Sequence, residues 1–216
     1  MLPIDAPSEC GSMRINLSIP PVSFQAAATK KSAIRAALTT IVSPTEYLLA
    51  GDVQIAIEWR ISALARYQSD NSADVDNIVK PILDALSGPD GIMIDDCQVQ
   101  SLACYWTGGF SGPDNESVSI ELGFDPDAYL PKAGLVFLHV ERGLHFPIHD
   151  ASPAAALLIG EHITKRFQDV REMTSIGTEL GPAHLLLPIQ RVFHRSKIRG
   201  FRTTTLEELR ARTASG

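Results

Sequence analysis

The clearest periodic signal in the chain is Val53, Ile55, Ile57, Trp59 and Ile61. These alternate with Gln54, Ala56, Glu58 and Arg60 and predict a half-buried strand over 53–63. Shorter alternations predict strands over Arg14–Ile19, with Ile15, Leu17 and Ile19 on one face, over Gln98–Thr107 and over Ser117–Gly123. Helical spacing occurs twice among them. Ile34, Leu38 and Ile41 predict a helix over Ser32–Val42, and Ile78, Ile82, Leu83 and Leu86 predict a second. Pro20-Pro21 ends the first strand, Gly51-Asp52 turns the chain into the long one, and a Gly/Ser/Pro/Asp segment from Gly108 to Asn115 separates the last two. Strands joined by short turns, with only two helices, predict an α+β domain: a mixed sheet covered by helices on one face.

The second helix carries a proline. Pro81 lacks an N–H and fits a first turn, so the helix is expected to begin near Asn77, capped by Asp76 or Asn77, with Lys80 about one turn in and able to reach Asp76 or Asp84. A polar loop over 66–73 leads into it. If Asp74 and Asp76 are extended, their side chains leave the backbone on the same side. After the turn Gly88-Pro-Asp-Gly91, Ile92–Ile94 reads as a short buried strand that delivers Asp95 and Asp96.

The stretch Asp74–Val99 thus holds six acids and one lysine in 26 residues. Carboxylates crowded together raise one another's pKa unless a cation neutralises them. An all-oxygen aspartate set suits Mg²⁺, or Mn²⁺, and not zinc. Such ions activate water and neutralise charge in phosphoryl transfer, and a lysine beside them stabilises the same charge. Asp-x-Asp by itself is also found in solvated loops, in glycosyltransferases and in phosphatases that form an aspartyl-phosphate, and an Asp-Asp pair is often only a turn.

The combination is more specific. Asp74-Val-Asp-Asn-Ile-Val-Lys-Pro-Ile-Leu-Asp-Ala-Leu86, then Gly91 and Ile94-Asp-Asp-Cys-Gln-Val99, resembles the signature of the RusA family of Holliday-junction resolvases. Pro20-Pro-Val-Ser-Phe-Gln25 resembles the proline-rich opening of many members, and the resemblance spans about residues 14 to 123. It implies that Asp74, Asp76 and Asp96 hold catalytic magnesium, that Lys80 is required, and that Asp95 is a further acid at the metal. It also implies crossover-junction endodeoxyribonuclease activity in DNA recombination and repair.

Past this region the pattern changes. Asp125-Pro-Asp-Ala-Tyr-Leu-Pro131 predicts a boundary between a domain over 1–125 and a smaller α/β C-terminal extension over 126–216. In the extension, Leu135–Val140 reads as a strand, Ala154–Met173 as a helix with Leu157, Leu158, Ile163, Phe167 and Val170 inward, and Ala183–Val192 as a second strand. All six histidines lie here. His139, His145 and His149 with Asp150 lack regular metal-ligand spacing and read as ordinary, partly buried residues.

Charge divides unevenly. Residues 1–125 carry 7 Lys/Arg against 16 Asp/Glu, a net of −9, and residues 126–216 carry 12 against 9, a net of +3. An acidic half is a poor fit to DNA, whose phosphates dominate affinity. Bound metal removes part of that conflict. Basic residues in two places remove more: Lys30, Lys31 and Arg35 on the first helix, and Arg191, Arg195, Lys197, Arg199 and Arg202 in Arg191–Arg202, a segment without acids whose Phe193 and Phe201 are expected to stack on unpaired bases. A solvated helix face and a solvated basic tail are the alternatives. Val192, Phe193, Ile198 and Phe201 also fit a docked, packed segment.

Cys10, Cys97 and Cys104 are odd in number and lack ligand spacing, which predicts reduced thiols. Met1–Cys10 has neither a basic start nor a long apolar run, and no 18 apolar residues are consecutive, so a cytoplasmic protein with no membrane contact is expected. The expected activity is a magnesium-dependent endonuclease that resolves four-way junctions by paired nicks as a homodimer, with no small-molecule cofactor. The alternative is a branched-DNA binding protein with little or no turnover. A nucleotide-sugar transferase is disfavoured, because about 70 residues before the motif are too few for a doubly wound nucleotide-binding half.

Overall fold

The fold is seen in a computed structural model, which describes residues 2–18, 28–62, 75–109, 117–177, 179 and 191–214, with side chains at all of these except 28–32, 62, 75–77 and 109. The chain divides into two compact units, Met1–Leu130 and Pro131–Gly216.

Unit 1 is built on the predicted alternation. Strand β1 (Ser12–Leu17) buries Met13, Ile15 and Leu17, and β3 (Val53–Ser62) buries Val53, Ile55, Ile57, Trp59 and Ile61. With β4 (Val99–Gly109) and β5 (Ser117–Phe124) they form a sheet of order β1-β5-β3-β4. β3 and β4 run parallel, and the other neighbours are antiparallel. Parallel neighbours need a crossover. Here that crossover contains the acidic stretch.

Two helices cover one face. α1 (Ala28–Val42) buries Ile34, Leu38 and Val42 at i, i+4 and i+8, and α2 (Val75–Leu86) buries Ile78, Ile82 and Leu86 in the same core. The class is α+β, with a mixed sheet. The other face is polar: Arg14 binds Glu121 at 2.6 Å. A cavity of about 260 Å³ there is lined by Arg14, Asn16, Glu58, Arg60 and Ser119, away from the acidic crossover. A short strand not read from the sequence, β2 (Tyr47–Leu49), is buried throughout and pairs with β6 (Tyr129–Pro131).

Three local expectations are corrected. α2 begins at Val75, so Pro81 is its seventh residue and lies inside it. The proline removes only the N–H that would bond to the Asn77 carbonyl, and burial of Pro81 with the Ile78 and Ile82 face outweighs that loss. Asp76 is therefore helical and not extended; Asp74 and the loop over 66–73 lie outside the described residues. Ile92–Ile94 is buried but not a strand: only Met93 bridges, to Leu49 and Ser87. Ile92 and Met93 bond to the end of α2, where Leu86 O accepts their N–H groups (2.8 and 3.1 Å).

Unit 2 packs a four-stranded sheet, β10 (Thr203–Thr204), β7 (Leu135–Glu141), β8 (Leu144–His149) and β9 (Phe193–His194), with α3 (Pro153–Ser175) and α4 (Leu206–Ala214). α3 is predicted correctly, but its inward stripe is Ala156, Gly160, Ile163 and Phe167, and Leu158 is 71% exposed. Position 158 is about 200° round the helix from 156, so it cannot share that stripe. A Cβ on Gly160 would stand 3.2–3.3 Å from Leu138, Leu206 and Leu209, so the glycine lets strand and helices approach. The expected strand over 183–192 lies largely outside the described residues; β9 follows it.

Asp150 holds unit 2 together. Its carboxylate accepts from Arg202 (2.7 Å) and Arg212 (3.0 Å), joining the end of β8 to β10 and α4. Arg212, and then Arg202, hold its pKa below the ordinary carboxyl value of 3.8. A depressed acid stabilises the fold above its unfolded pKa, and that stability is lost as pH falls through the folded one. The melting temperature of the chain is therefore expected to drop more steeply below about pH 4 in the native protein than in Asp150→Asn, which starts lower at pH 7 and responds less to acid. Equal acid slopes in a thermal melt series would remove this role.

Candidate active site

Gly91 sets the path of the acidic loop. A Cβ there would sit 2.2 Å from the Leu86 carbonyl, so only glycine lets the chain cross the end of α2. Gly88, at φ +98°, turns the chain and donates to Met93 O and Ile94 O. The segment then folds back beside α2, and a 3₁₀ turn (Asp96–Gln98) presents Asp96 to the helix.

Lys80 joins the two halves. Its Nζ donates to Asp84 Oδ1 at 2.7 Å and to Asp96 Oδ2 at 2.9 Å. The expected partner Asp84 is present; Asp96, 16 residues away, was not anticipated. The Asp84 carboxylate, then that of Asp96, raises the Lys80 pKa well above its ordinary range. Lys80 is thus a fixed cation and not a proton acceptor at neutral pH. Asp76 lies one turn before Lys80, about 6 Å along the axis.

The two adjacent acids have different surroundings. Asp95 is the N-cap of the 3₁₀ turn, and its Oδ1 accepts the Cys97 N–H at 2.9 Å. Asp96 faces Lys80, with its side chain 28% exposed. Holding both is a residue to which the sequence reading gave no role. Gln98 is fully buried; its Oε1 accepts the N–H groups of Ile94 (2.7 Å) and Asp95 (3.0 Å), and its Nε2 donates to the carbonyls of Leu49 (2.9 Å) and Gly51 (2.8 Å). One side chain thereby ties the acidic loop to the β2–β3 turn. The available signal was a glutamine two residues after an acid pair and just before a strand, where an apolar residue would ordinarily fill the space.

The side chains of Asp74 and Asp76 lie outside the described set, as do those of Lys30 and Lys31 and the whole of Pro20–Gln25. Among the described residues no group of three or more His, Cys, Asp or Glu is arranged to hold a metal. Arg35 is exposed on α1. In unit 2 the basic segment is packed and not a loose tail: Phe193 and Ile198 are buried, and the rings of Phe193 and Phe201 lie edge-on to Phe137 at 5.9 and 5.1 Å. The expectation that these two phenylalanines stack on bases is corrected, because unit 2 uses them as core. Arg202 is engaged by Asp150. Arg195 and Arg199 are exposed, and Arg191 lies over the Phe193 ring at 5.8 Å. Lys197 is half-buried on a 3₁₀ turn. None of the three cysteines forms a disulfide among the described residues, and no described helix is long and apolar enough to cross a membrane.

Residues 24–122 match the family model described as Endodeoxyribonuclease RusA, and the remainder of the chain lies outside the match. No curated protein matches the chain.

Proposed function

Residues 24–122 form a domain of the RusA endodeoxyribonuclease family, whose members are nucleases acting on branched DNA junctions, and from that premise we propose that this chain resolves four-way junctions by paired symmetric nicks in a magnesium-dependent reaction. The observation that supports it is Lys80 held between Asp84 and Asp96, which brings the two halves of the acidic stretch onto one surface. Asp74, Asp76 and Asp96 would hold Mg²⁺ or Mn²⁺, and their all-oxygen chemistry fits such an ion. Asp95 is a poorer direct ligand, since its Oδ1 already caps the turn. The ion supplies Lewis acidity and an activated water. Asp84 and Asp96 orient Lys80 so that its ammonium faces the negative charge that develops on the attacked phosphate. Because it stays protonated, Lys80 contributes charge and not proton abstraction.

A homodimer places one such site on each of two symmetric strands. β4 is an edge of the described sheet and exposes Leu102 and Tyr105, where a second copy would bury apolar surface. Backbone phosphates are assigned to Arg35, with Lys30 and Lys31, and to Arg191, Arg195, Lys197 and Arg199. Arg202 is omitted from this set because of Asp150.

The test is cleavage of an end-labelled four-way junction with and without Mg²⁺. Paired nicks only with the ion are expected. Tight junction binding without cleavage at any Mg²⁺ or Mn²⁺ concentration would replace this reading with that of a branched-DNA binding protein.

A further inference from the structure

Unit 2 gathers charge around one turn that the nuclease reading leaves unused. The β7–β8 hairpin turns at Arg142-Gly143, where Arg142 takes a left-handed backbone at φ +47° and is exposed. The Gly143 carbonyl accepts the Arg195 N–H at 2.8 Å and the His145 Nδ1–H at 3.0 Å. That pins the basic segment to the hairpin. His139 is the cross-strand partner of His145, their rings 5.2 Å apart, and His194 lies opposite Leu144 with its Nε2 against Gly143. Three imidazoles therefore gather at this turn, with Arg195 beside them and Arg142 on its backbone.

The charged groups facing it come from each packed element: Glu141 from β7, Arg142 from the turn, His145 from β8, His194 from β9, Arg195 from the 3₁₀ turn and Arg171 from α3. Glu141, the acid of this set, is ion-paired with Arg171. Burial, followed by the neighbouring His139, His194 and Arg195, lowers the His145 pKa, which keeps that ring neutral at neutral pH. With Glu141 engaged by Arg171, the positive charge of the turn is left to an anion from outside. A phosphate placed over it reverses the sign of the local field and favours uptake of protons by the imidazoles. By reciprocity, protons then favour phosphate.

We propose that the turn Arg142–His145, with His139, His194 and Arg195, is a contact surface for the nucleic-acid backbone, and that protonation of its histidines sets the strength of the contact. This rests on the reading of the chain as a protein that acts on DNA, and it adds to unit 2 a surface and a control by pH. Histidine is the side chain whose charge ordinarily changes between pH 5 and 8, which is the range the test must cover.

The experiment is fluorescence anisotropy with the full chain and a labelled duplex DNA in EDTA, across a salt series at pH 6.0 and at pH 8.0. Tighter binding is expected at pH 6.0, with a log–log salt slope steeper by up to about 0.9 for each histidine recruited to a phosphate. The double variant His139→Gln/His194→Gln, both exposed positions, is expected to bind as the native chain does at pH 8.0 and to lose the steepening at pH 6.0. Arg142→Ala/Arg195→Ala is expected to flatten the slope at both pH values while its melting temperature stays near native. Equal native slopes at the two pH values, or an unchanged pH response in the histidine double variant, would overturn the proposal. Junction cleavage in Mg²⁺ is scored separately: a chain that cuts junctions without this pH response loses only the surface proposed here, and a chain with the pH response that never cuts loses only the nuclease reading.

Discussion

Asp96→Asn is expected to reduce junction cleavage by at least a hundredfold, roughly the effect of removing one group aimed at charge in a transition state, while leaving the fold intact. The ion pair it weakens is partly solvent-exposed, with Lys80 49% and Asp96 28% accessible, and such pairs contribute about 1 kcal/mol or less to stability. The asparagine oxygen still accepts from Lys80. What is lost is a negative oxygen for the metal and part of the field that orients the ammonium. Asp76→Asn is expected to behave likewise, since residue 76 stands one turn before Lys80 on α2. Junction binding in both variants stays equal or becomes tighter, since each removes a negative charge near the phosphates. Nicking and gel shift on the same preparations separate the two quantities. More than about a tenth of native cleavage in either variant is incompatible with a ligand role, because a tenfold loss corresponds to only about 1.4 kcal/mol.

Lys80→Met sharpens the same argument. If the lysine only bridged Asp84 and Asp96, its loss would cost a surface ion pair and little activity. If its ammonium faces the attacked phosphate, cleavage falls although the melting temperature hardly moves.

How much of this was legible in the sequence depends on the range of the interaction. The strand β3 was read from five alternating apolar residues, and its observed bounds differ from the expected ones by one residue. The one-faced character of α2 was equally plain, but its start was not. A proline rule that holds for isolated helices was outweighed by burial of Pro81 in unit 1. Lys80 to Asp84 is a neighbour pair on one helix and follows from spacing. Lys80 to Asp96 depends on how the chain folds back over Gly88 and Gly91, which spacing does not encode. The basic segment left two outcomes open, base stacking or a docked, packed segment, and composition does not choose between them; Phe193, Ile198 and Phe201 pack on Phe137 and in the core of unit 2. Deleting residues 190–216 to test DNA binding would therefore remove β9, β10 and α4 and collapse unit 2, and point substitutions at Arg142, Arg195 and Arg199 are the usable probes.

Gln98→Leu is expected to be among the most damaging single changes in unit 1, and to damage activity beyond its effect on folding. The leucine fills similar space but leaves the Leu49 and Gly51 carbonyls and the Ile94 and Asp95 amides without the partner they now share. Each polar group left buried and unpaired costs about 1–3 kcal/mol. Even with water reaching the half-buried Gly51 and Asp95 ends, the sum is at least about 3 kcal/mol, a large share of the roughly 5–15 kcal/mol that holds a domain together. Folding loss alone would not distinguish a positioning role, so the comparison is with Ile57→Ala. That variant removes a fully buried side chain from the same core at a comparable cost of about 2–5 kcal/mol and touches none of the atoms around Asp95 and Asp96. Both proteins are assayed at a temperature where circular dichroism shows them folded. Ile57→Ala is expected to cut junctions at nearly the native rate with a native Mg²⁺ midpoint. Gln98→Leu, in which the turn carrying Asp96 is no longer tied to the β2–β3 turn, is expected to cut more slowly and to need more Mg²⁺ and Mn²⁺, a shift also visible by calorimetry of metal binding without DNA. If the two variants lose activity only in proportion to their unfolded fractions, Gln98 is a structural glutamine and the acidic loop keeps its place without it.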